Sequence, residues 1–313
     1  MSTAETEASA AKRILVVRLG AMGDIIHTLP AIASLKPGSH VTWAVEPRWA
    51  PLLAGNPYVD RVMPIDRSEL VRSYRELRRE RFDVAVDFQG LIKSALVAFA
   101  AEPDRTFGFD RTRETPAGVF YSDRVEACET HVVDRNLELA QAAGAPSLLH
   151  VFPLPPGEPE QPLPETDFVL ACPLAGWASK QWPLEHYTRL AGRLRDRGVT
   201  LVVNGPPSSV DTLSQIGGAY PHLSGIPGLI YATRRAAAVV GVDSGPLHLA
   251  AALDKPGVAI FGPTDPARNG PYGNSLKVLR TAAAQTSYKR RGEIDTSMRE
   301  ITPDEVYDAL LVS

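Results

Sequence analysis

Short apolar runs recur along the chain, and most end close to a glycine, a proline or an acidic residue. Within a run, polar residues do not alternate with apolar ones, so both faces of the strand are expected to be buried, as in parallel α/β sheets. The runs that predict strands are residues 12–19, 41–45, 59–65, 82–88, 168–173, 200–204, 239–243 and 257–261.

Helical periodicity separates these strands, with amphipathic helices predicted over 25–32, 184–197 and 303–311. Alternating strands and helices predict α/β units with parallel sheets. Residues 153–167 contain six prolines, which helices and inner strands exclude, so this segment is a predicted stiff linker.

We therefore predict two Rossmann-like domains, with mainly parallel sheets that face a central cleft. The N-terminal domain spans residues 13–152 and the C-terminal domain spans 168–313, with a last helix that is free to pack back on the first domain. Residues 1–12 are small and polar, without the apolar core of a secretory signal, and are predicted to form a disordered tail.

The segment 239–253 is the strongest candidate for a ligand site. A buried strand ends at Asp243, Ser244 and Gly245 form a turn, and a helix follows. Backbone N–H groups and the positive end of the helix dipole then meet at one point, which favours a phosphate group, while Asp243 suits sugar hydroxyls. An ordinary connection with a polar cap is the alternative.

Polar side chains also follow two strands of the first domain. Asp24 comes just after the first strand, where it either caps a helix or faces a ligand. Gln89 and Lys93 follow the strand at 82–88, at the same sheet edge. Together with Arg111 and Arg113 they would line a cationic cleft for carboxylates or phosphates, although each alone is also typical of an ordinary surface.

Composition narrows the function further. The chain has 313 residues and a net charge of −3, which argues against a general nucleic-acid binder. Cys128 and Cys172 lie far apart and form no metal motif. Residues 67–81 carry six arginines and three glutamates, which indicates either a solvated helix face or a surface that docks on an anionic membrane or a phosphorylated acceptor.

Four segments, in this order, carry a resemblance to a known family: VVRLGAMGDIIHTLPAI, FDVAVDFQGLIKSAL, AGWASKQWP and VGVDSGPLHLAAALDKPGVAIFGPTDP. They are similar to the signature segments of the lipopolysaccharide heptosyltransferases of glycosyltransferase family 9. The resemblance extends from about residue 13 to the C-terminus. TWAVEPRWAPLLAGNPYVDRVMPIDR and RTRETPAGVFY are most similar to the type I enzymes.

The resemblance implies a GT-B fold and an inverting transfer of L-glycero-D-manno-heptose from ADP-heptose. The acceptor would be the inner 3-deoxy-D-manno-octulosonic acid (Kdo) of Kdo-lipid A. It further implies no metal ion or other cofactor, a monomer, and a cytoplasmic location on the inner face of the inner membrane. The sequence does not indicate how many Kdo units the acceptor carries, whether they are phosphorylated, or which heptose epimer is transferred.

The resemblance also suggests roles for single residues. Asp24 falls on the catalytic base and Lys180 on the diphosphate-binding lysine, which also assists departure of the leaving group. His27 is a rival base. The predicted donor-binding residues are Lys180, Asp243, Ser244, Gly245, His248, Trp177 and Gly205. The predicted acceptor-binding residues are Gly23, Gln89, Lys93, Arg111 and Arg113. Ser208 and Ser209 stand where relatives often have an acidic residue, so nucleoside contacts are not carried over.

Three other functions remain open from the sequence. A family 9 transferase of the type II kind would keep the same donor residues. A nucleotide-sugar epimerase would not need the acceptor-side residues Gln89 and Lys93. A nucleotide-sugar binding protein without catalytic activity would have no need for Asp24 on the facing domain.

Overall fold

A computed structural model describes residues 11–312 of the chain. Residues 1–10 of the predicted tail therefore lie outside the described residues, but Lys12, which the tail was predicted to include, begins the first strand. The strands of the first domain are β1 (Lys12–Val17), β2 (Ser39–Val45), β3 (Arg61–Pro64), β4 (Val84–Asp87), β5 (Arg105–Phe109) and β6 (Asp123–Val125). Those of the second are β7 (Phe168–Cys172), β8 (Thr200–Gly205), β9 (Tyr220–Leu223), β10 (Ala238–Val242), β11 (Gly257–Phe261) and β12 (Leu276–Arg280).

These strands form two sheets of six, and neighbouring strands in both are parallel. The first sheet has the order β3-β2-β1-β4-β5-β6, and the second has the order β12-β11-β10-β7-β8-β9. Counted within its own domain, each sheet has the order 3-2-1-4-5-6 of the doubly wound dinucleotide-binding fold. The prediction of two α/β units with parallel sheets is therefore confirmed.

Burial explains why the apolar runs became strands. The last four residues of β1, most of β2 and all of β7 and β11 are buried, as expected for strands covered by helices on both faces. Trp43, Phe168 and Phe261 are large side chains in these strands, and none of them is exposed to solvent. Burial of such side chains stabilises each sheet by roughly 1.5–3 kcal/mol per residue.

Helices pack on both faces of the sheets. In the first domain they are α1 (Met22–Ile26), α2 (Leu29–Leu35), α3 (Leu70–Arg79), α4 (Ile92–Ala100) and α5 (Val132–Ala142). In the second they are α6 (Leu184–Arg195), α7 (Val210–Leu213), α8 (Ile226–Arg235), α9 (Gly245–Ala252), α10 (Pro266–Asn269), α11 (Thr296–Glu300) and α12 (Pro303–Leu310). No helix among residues 11–312 has the length and apolar character needed to cross a membrane.

The helix predicted over residues 25–32 is two helices in the structure, so that prediction was wrong. The chain breaks between α1 and α2, at His27 and Thr28. Pro30 lies in the first turn of α2, where its missing N–H needs no helical acceptor. The Thr28 hydroxyl donates to the carbonyl oxygen of Asp24 at 2.8 Å, which satisfies a carbonyl at the end of α1.

The proline-rich segment 153–167 contains no helix or strand. It is fixed to the second domain, since the Glu160 carboxylate accepts hydrogen bonds from the N–H groups of Gly225 and Gly228, at 2.7 Å and 3.0 Å. The last helix, α12, packs on α6 and β11 of the second sheet, not on the first domain as the sequence had left open. An ion pair between Arg193 and Asp304 joins α6 to α12.

Candidate active site

The candidate site lies where the two sheets reverse their strand order. In doubly wound sheets, ligands bind beyond the carboxyl ends of the strands at this point. The reversal falls between β1 and β4 in the first sheet and between β7 and β10 in the second. Asp24 and Gln89 follow β1 and β4, and Lys180 and Asp243 follow β7 and β10. The fold therefore places both predicted sets of polar residues at ligand-binding edges.

A cleft of about 420 Å³ joins these edges. Both domains contribute to it, and it is lined by Ala21, Met22, Gly23, Asp24, His27, Trp49, Leu174, Ala175, Gly176, Trp177, Lys180, Asp243, Ser244, Gly245, Pro246, His248 and Asn269. The structure thus brings Asp24 of the first domain and most of the predicted donor-binding residues of the second domain into one cavity.

Asp24 is held by two arginines. Its Oδ1 lies 2.5 Å from Arg18 Nη2 and 3.2 Å from Arg113 Nη2, and its Oδ2 accepts a hydrogen bond from the Ala21 N–H at 3.2 Å. Burial raises the pKa of this carboxyl, but the charges of Arg18 and Arg113 and the hydrogen bonds outweigh it, so the pKa lies below its ordinary value. Asp24 is therefore ionised at neutral pH, and it is a weak base in this state.

Lys180 and Asp243 form a buried ion pair on the opposite wall. Lys180 Nζ lies 2.6 Å from Asp243 Oδ2 and 4.4 Å from the centre of the Trp177 ring. His248 Nε2 lies 3.5 Å from Asp243 Oδ1. Burial raises the pKa of Asp243, but hydrogen bonding from His248 and the charge of Lys180 outweigh burial. The pKa therefore lies below its ordinary value. The wall therefore holds a fixed cation beside a fixed carboxylate.

The first turn of α9 adds donors to this wall. Ser244 is the residue just before the helix, which begins at Gly245. The Ser244 hydroxyl is buried and has no hydrogen-bond partner among the described residues. An unsatisfied hydroxyl at the positive end of a helix, close to Lys180, is an environment that suits a phosphate group.

Gly23 marks the point where the domains touch. A Cβ atom at this position would lie 2.5 Å from His248 Cδ2, so a larger residue would push α1 away from α9. Gly23, which the sequence predicted to bind the acceptor, therefore sets the spacing of the two domains. His27 lies one turn further along, with its ring 4.2 Å from that of His248 and 5.7 Å from that of His131.

The rival base His27 is buried and electrostatically disfavoured as a cation. Burial, followed by the neighbouring His248 and His131, lowers its pKa well below the ordinary value. Its ring is therefore neutral throughout the physiological range, and a proton placed on it is strongly destabilised. Asp24, by contrast, is ionised and lies between Arg18 and Arg113.

A second, small cavity of about 70 Å³, which we call the arginine cavity, is lined by Arg18 and Arg113, the two arginines that pair with Asp24. Its lining residues include five arginines and no acidic residue: Arg18, Arg111, Arg113, Arg135 and Arg268. Arg268 comes from the second domain, and the other four come from the first. Guanidinium groups pair well with carboxylates and phosphates, so the cavity is suited to an anionic group.

The turn after β4 shapes this cavity. Asp87 is fully buried and accepts hydrogen bonds from Tyr121, Ser94 and the Gln89 N–H, at 2.7–2.8 Å. Burial outweighs these bonds and raises the pKa of Asp87. Gly90 follows with a φ of 68°, and a Cβ there would lie 3.2 Å from the Arg113 backbone nitrogen. Glycine is therefore required for the close approach of the two loops.

The predicted acceptor-binding residues divide into three groups, the first of which is Gly23 alone, a lining residue of the main cleft. Gln89, Arg111 and Arg113 line the arginine cavity, although the Gln89 side chain is engaged, since its Oε1 accepts from the Leu19 N–H at 2.8 Å. Lys93 lines neither cavity, and its Nζ lies 3.2 Å from Glu46 Oε1.

Gly205 is the one predicted donor-binding residue outside the cleft lining. It ends β8, where a Cβ would lie 2.5 Å from Ser209 Oγ and 3.4 Å from Leu174, a lining residue of the cleft. The close packing against Ser209 accounts for a glycine at this position.

Sequence reasoning missed several residues of the site. Arg18 was treated as the end of a strand, yet it is 2% exposed and pairs with Asp24; a charge directly after an apolar strand was the available signal. Arg135 and Arg268 were not singled out, because only the folding of the chain brings them to the arginine cavity. No group of three or more His, Cys, Asp and Glu residues among residues 11–312 is arranged to hold a metal ion.

The chemistry that this arrangement permits is a group transfer across the cleft. One wall offers a cation, a helix N-terminus and free hydroxyl for a departing phosphate. The other offers an ionised carboxylate that can accept a proton, next to cations that can hold an anionic acceptor.

Comparison with known proteins gives the family. The family model described as glycosyltransferase family 9 (heptosyltransferase) matches residues 70–297. The chain is 30% identical over 302 residues to lipopolysaccharide heptosyltransferase 1 of Escherichia coli (strain K12), covering 86% of this chain and 93% of the relative. It is 31% identical over 298 residues to lipopolysaccharide heptosyltransferase 1 of Pseudomonas aeruginosa, covering 84% and 82%.

Solved structures give the same result for the fold. The chain resembles E. coli heptosyltransferase WaaC with ADP, with a TM-score of 0.76, 25% identity, and coverage of 95% of this chain and 98% of that one. It also resembles E. coli ADP-heptose heptosyltransferase II, with a TM-score of 0.80, 24% identity and coverage of 96% and 98%. The predicted GT-B fold is thereby confirmed. The chain belongs to glycosyltransferase family 9 and is a heptosyltransferase of lipopolysaccharide core synthesis.

Proposed function

We propose that this enzyme transfers L-glycero-D-manno-heptose from ADP-heptose to the inner Kdo of Kdo-lipid A, with inversion at the anomeric carbon. The observation that carries the proposal is a single cleft that has an ionised carboxylate, Asp24, on one wall and the Lys180–Asp243 pair on the other. The names of the relatives support the choice of substrates. A related structure, WaaC, is described with ADP-2-deoxy-2-fluoro heptose, an analogue of the proposed donor.

On the donor side, the reaction must separate ADP from the heptose. Lys180, the Ser244 hydroxyl and the first turn of α9 would hold the diphosphate, whose negative charge grows as the glycosidic bond breaks. Asp243 would accept hydrogen bonds from sugar hydroxyls. In this scheme the protein's own cations balance the charge of the leaving group, so no metal ion takes part.

On the acceptor side, a Kdo hydroxyl oxygen attacks the anomeric carbon while the bond to ADP breaks, and ADP leaves with the electron pair. Attack from the face opposite the diphosphate inverts the configuration. The hydroxyl proton passes to Asp24. A carboxylate is a weak base, but the hydroxyl becomes strongly acidic once its oxygen bonds to the oxocarbenium-like carbon. Binding of the Kdo carboxylate would also draw Arg113 away from Asp24 and raise the basicity of that carboxylate.

A second candidate is the type II reaction, in which the acceptor already carries a heptose. One observation favours it: the chain is 28% identical over 343 residues to lipopolysaccharide heptosyltransferase 2 of Salmonella typhimurium, covering 95% of this chain and 97% of the relative. The donor wall would be the same in both reactions. The difference would lie in which sugar enters the cleft next to Asp24.

We further propose that the enzyme works as a monomer in the cytoplasm, at the inner face of the inner membrane, where its lipid-linked acceptor is present. The arginine-rich helix α3 supports this placement, because basic side chains near an anionic membrane surface favour binding.

The test is a donor and acceptor screen with the purified enzyme. ADP-heptose, GDP-mannose and UDP-sugars are each supplied with Kdo-lipid A or with heptosylated Kdo-lipid A, and the product linkage is determined by NMR. We expect transfer from ADP-heptose to Kdo-lipid A alone, with the inverted anomer. Transfer only to the heptosylated acceptor would establish the type II reaction, and a retained anomer would contradict the direct displacement.

A further inference from the structure

Helix α4 carries apolar side chains on its solvent side. Ile92, Leu96 and Phe99 are spaced four and three residues apart, so they lie on one face of the helix, and all three are exposed, Phe99 by 56%. The short helix after β5 adds Val119, which is 77% exposed, and the Phe120 ring, 5.4 Å from the ring of Phe99. We call these five residues the apolar stripe. Contiguous exposed apolar surface of this kind marks an interaction site.

A basic rim lies beside the stripe, on α3, which contacts α4. Four arginines of α3 are exposed: Arg72, Arg75, Arg78 and Arg79. Glu76 and Glu80 do not neutralise this rim, because both form ion pairs with Arg61 at the sheet edge. Arg72 pairs with Glu69 and Arg78 pairs with Glu102, whereas Arg75 and Arg79 have no carboxylate partner among the described residues. The surface therefore combines exposed apolar groups with a surplus of positive charge.

The stripe begins at the edge of the arginine cavity. The Ile92 N–H donates to Glu114 Oε2 at 2.7 Å, and the Glu114 N–H donates to the Gly90 carbonyl oxygen at 3.1 Å. Gly90 and Arg113 line the arginine cavity, and Arg113 pairs with Asp24. Whatever binds the stripe is therefore adjacent to the acceptor side of the active site.

We propose that the apolar stripe inserts into the surface of an anionic phospholipid bilayer, with the α3 arginines against the lipid head groups. Amphipathic helices with apolar side chains beside basic ones bind membranes in this way. A second copy of this chain fits the surface less well, because a symmetric contact would bring the two basic rims together. The function of the stripe as an acceptor-delivering surface rests on the proposed function, but its binding to lipid does not.

The first experiment measures binding of the full chain to vesicles. Wild type and the variant Leu96→Gln/Phe99→Gln/Val119→Gln are sedimented with phosphatidylcholine vesicles that contain or lack phosphatidylglycerol. We expect the triple variant to bind anionic vesicles at least tenfold more weakly. The matched control, Val210→Gln/Val278→Gln, changes two exposed apolar residues of the second domain and is expected to bind like wild type. Equal binding by all three proteins would overturn the proposal.

The second experiment does not depend on the triple variant being folded. Phe99→Trp and the control Val278→Trp are mixed with vesicles of brominated lipid, which quench tryptophan only at short range. We expect additional quenching for Phe99→Trp alone. Quenching of neither variant would show that the stripe does not enter the bilayer and would refute the proposal.

Activity separates this inference from the proposed function. On a deacylated, water-soluble acceptor the triple variant should retain wild-type turnover, while on vesicle-embedded acceptor it should lose at least tenfold in kcat/KM. Failure of wild type on every heptose acceptor would refute the proposed function and leave the vesicle result standing. Equal impairment of the triple variant on both acceptors would contradict a lipid-facing role.

Discussion

Replacement of Asp24 by asparagine separates the catalytic role of this carboxylate from its structural role. Asparagine has nearly the same shape, and its one side-chain oxygen can still face Arg18, but its NH2 group cannot accept the hydrogen bond from the Ala21 N–H. It also has no negative charge and cannot take a proton from the acceptor. Loss of a general base typically costs roughly 10²–10⁴ in rate, or about 3–5 kcal/mol in the transition state. We expect turnover at saturating substrates to fall within this range.

The same change has a stability cost, because Arg18 is 2% exposed and would lose its counter-ion. Breaking a fully buried ion pair costs about 3–5 kcal/mol. Since the Asp24 side chain is 23% exposed, solvent screens part of the lost interaction, and we expect a loss of about 2 kcal/mol in the free energy of unfolding. The pKa of Asp24 is lowered in the folded state, so this contribution is present above the ordinary pKa of a carboxyl and disappears as the pH falls through the lowered one.

The assay follows release of ADP at a temperature where both proteins are folded, and calorimetry measures affinity for ADP. The control is Asp83→Asn, which removes a carboxylate from the opposite edge of the same sheet, where it accepts from the Arg13 N–H at 2.7 Å. ADP affinity should be unchanged in both variants, and turnover should fall only for Asp24→Asn. Turnover reduced less than tenfold, or lost ADP affinity with normal turnover, would refute the assignment of Asp24 as the base.

Three further predictions test the rest of the site. Lys180→Ala should weaken ADP binding and slow turnover together, because the diphosphate charge is present before the reaction and grows during it, and a strict requirement for Mg²⁺, detected with EDTA, would contradict this role. Arg113→Gln should raise the pKa of Asp24, so the acid limb of the pH profile of kcat/KM should move to higher pH, and the KM for the acceptor should rise. An acid limb at the wild-type pH would show that Arg113 does not influence Asp24. His27→Gln should leave turnover within tenfold of wild type, and a loss comparable to that of Asp24→Asn would restore His27 as a candidate base.

The sequence predicted the central strands well because burial on both faces leaves an unbroken apolar run. It missed three of the four edge strands, β6, β9 (Tyr220–Leu223) and β12 (Leu276–Arg280), since strands at the border of a sheet are partly exposed and carry polar residues. It found the edge strand β3, and it also missed β5, an inner strand of the first sheet. The proline at residue 221 also disguised β9, although an edge position tolerates proline.

The candidate site was predictable to the extent that it follows from strand ends. Asp24, Lys180 and Asp243 each come shortly after a predicted strand, and parallel strands bring their carboxyl ends to one edge. The arginine cavity was not predictable in the same way. Arg135 lies on α5 and follows no predicted strand, and Arg268 lies on α10, seven residues after the predicted strand at 257–261, but was not singled out. Arg135 reaches the arginine cavity within the first domain, and the approach of Arg268 depends on how the two domains pack.

The pairing of charges within the site could not be predicted from the sequence. Asp24, Lys180 and Asp243 were assigned separately, to a proton, a diphosphate and a sugar, but in the structure all three are paired. Buried charges must be paired or neutralised, because desolvation of a lone ion costs several kcal/mol. A phosphate that binds Lys180 therefore replaces part of an existing interaction with Asp243. The affinity for the donor should accordingly depend more on the many hydrogen bonds around the diphosphate than on the lysine charge alone. At Arg113, the same exchange of partners would couple acceptor binding to the basicity of Asp24.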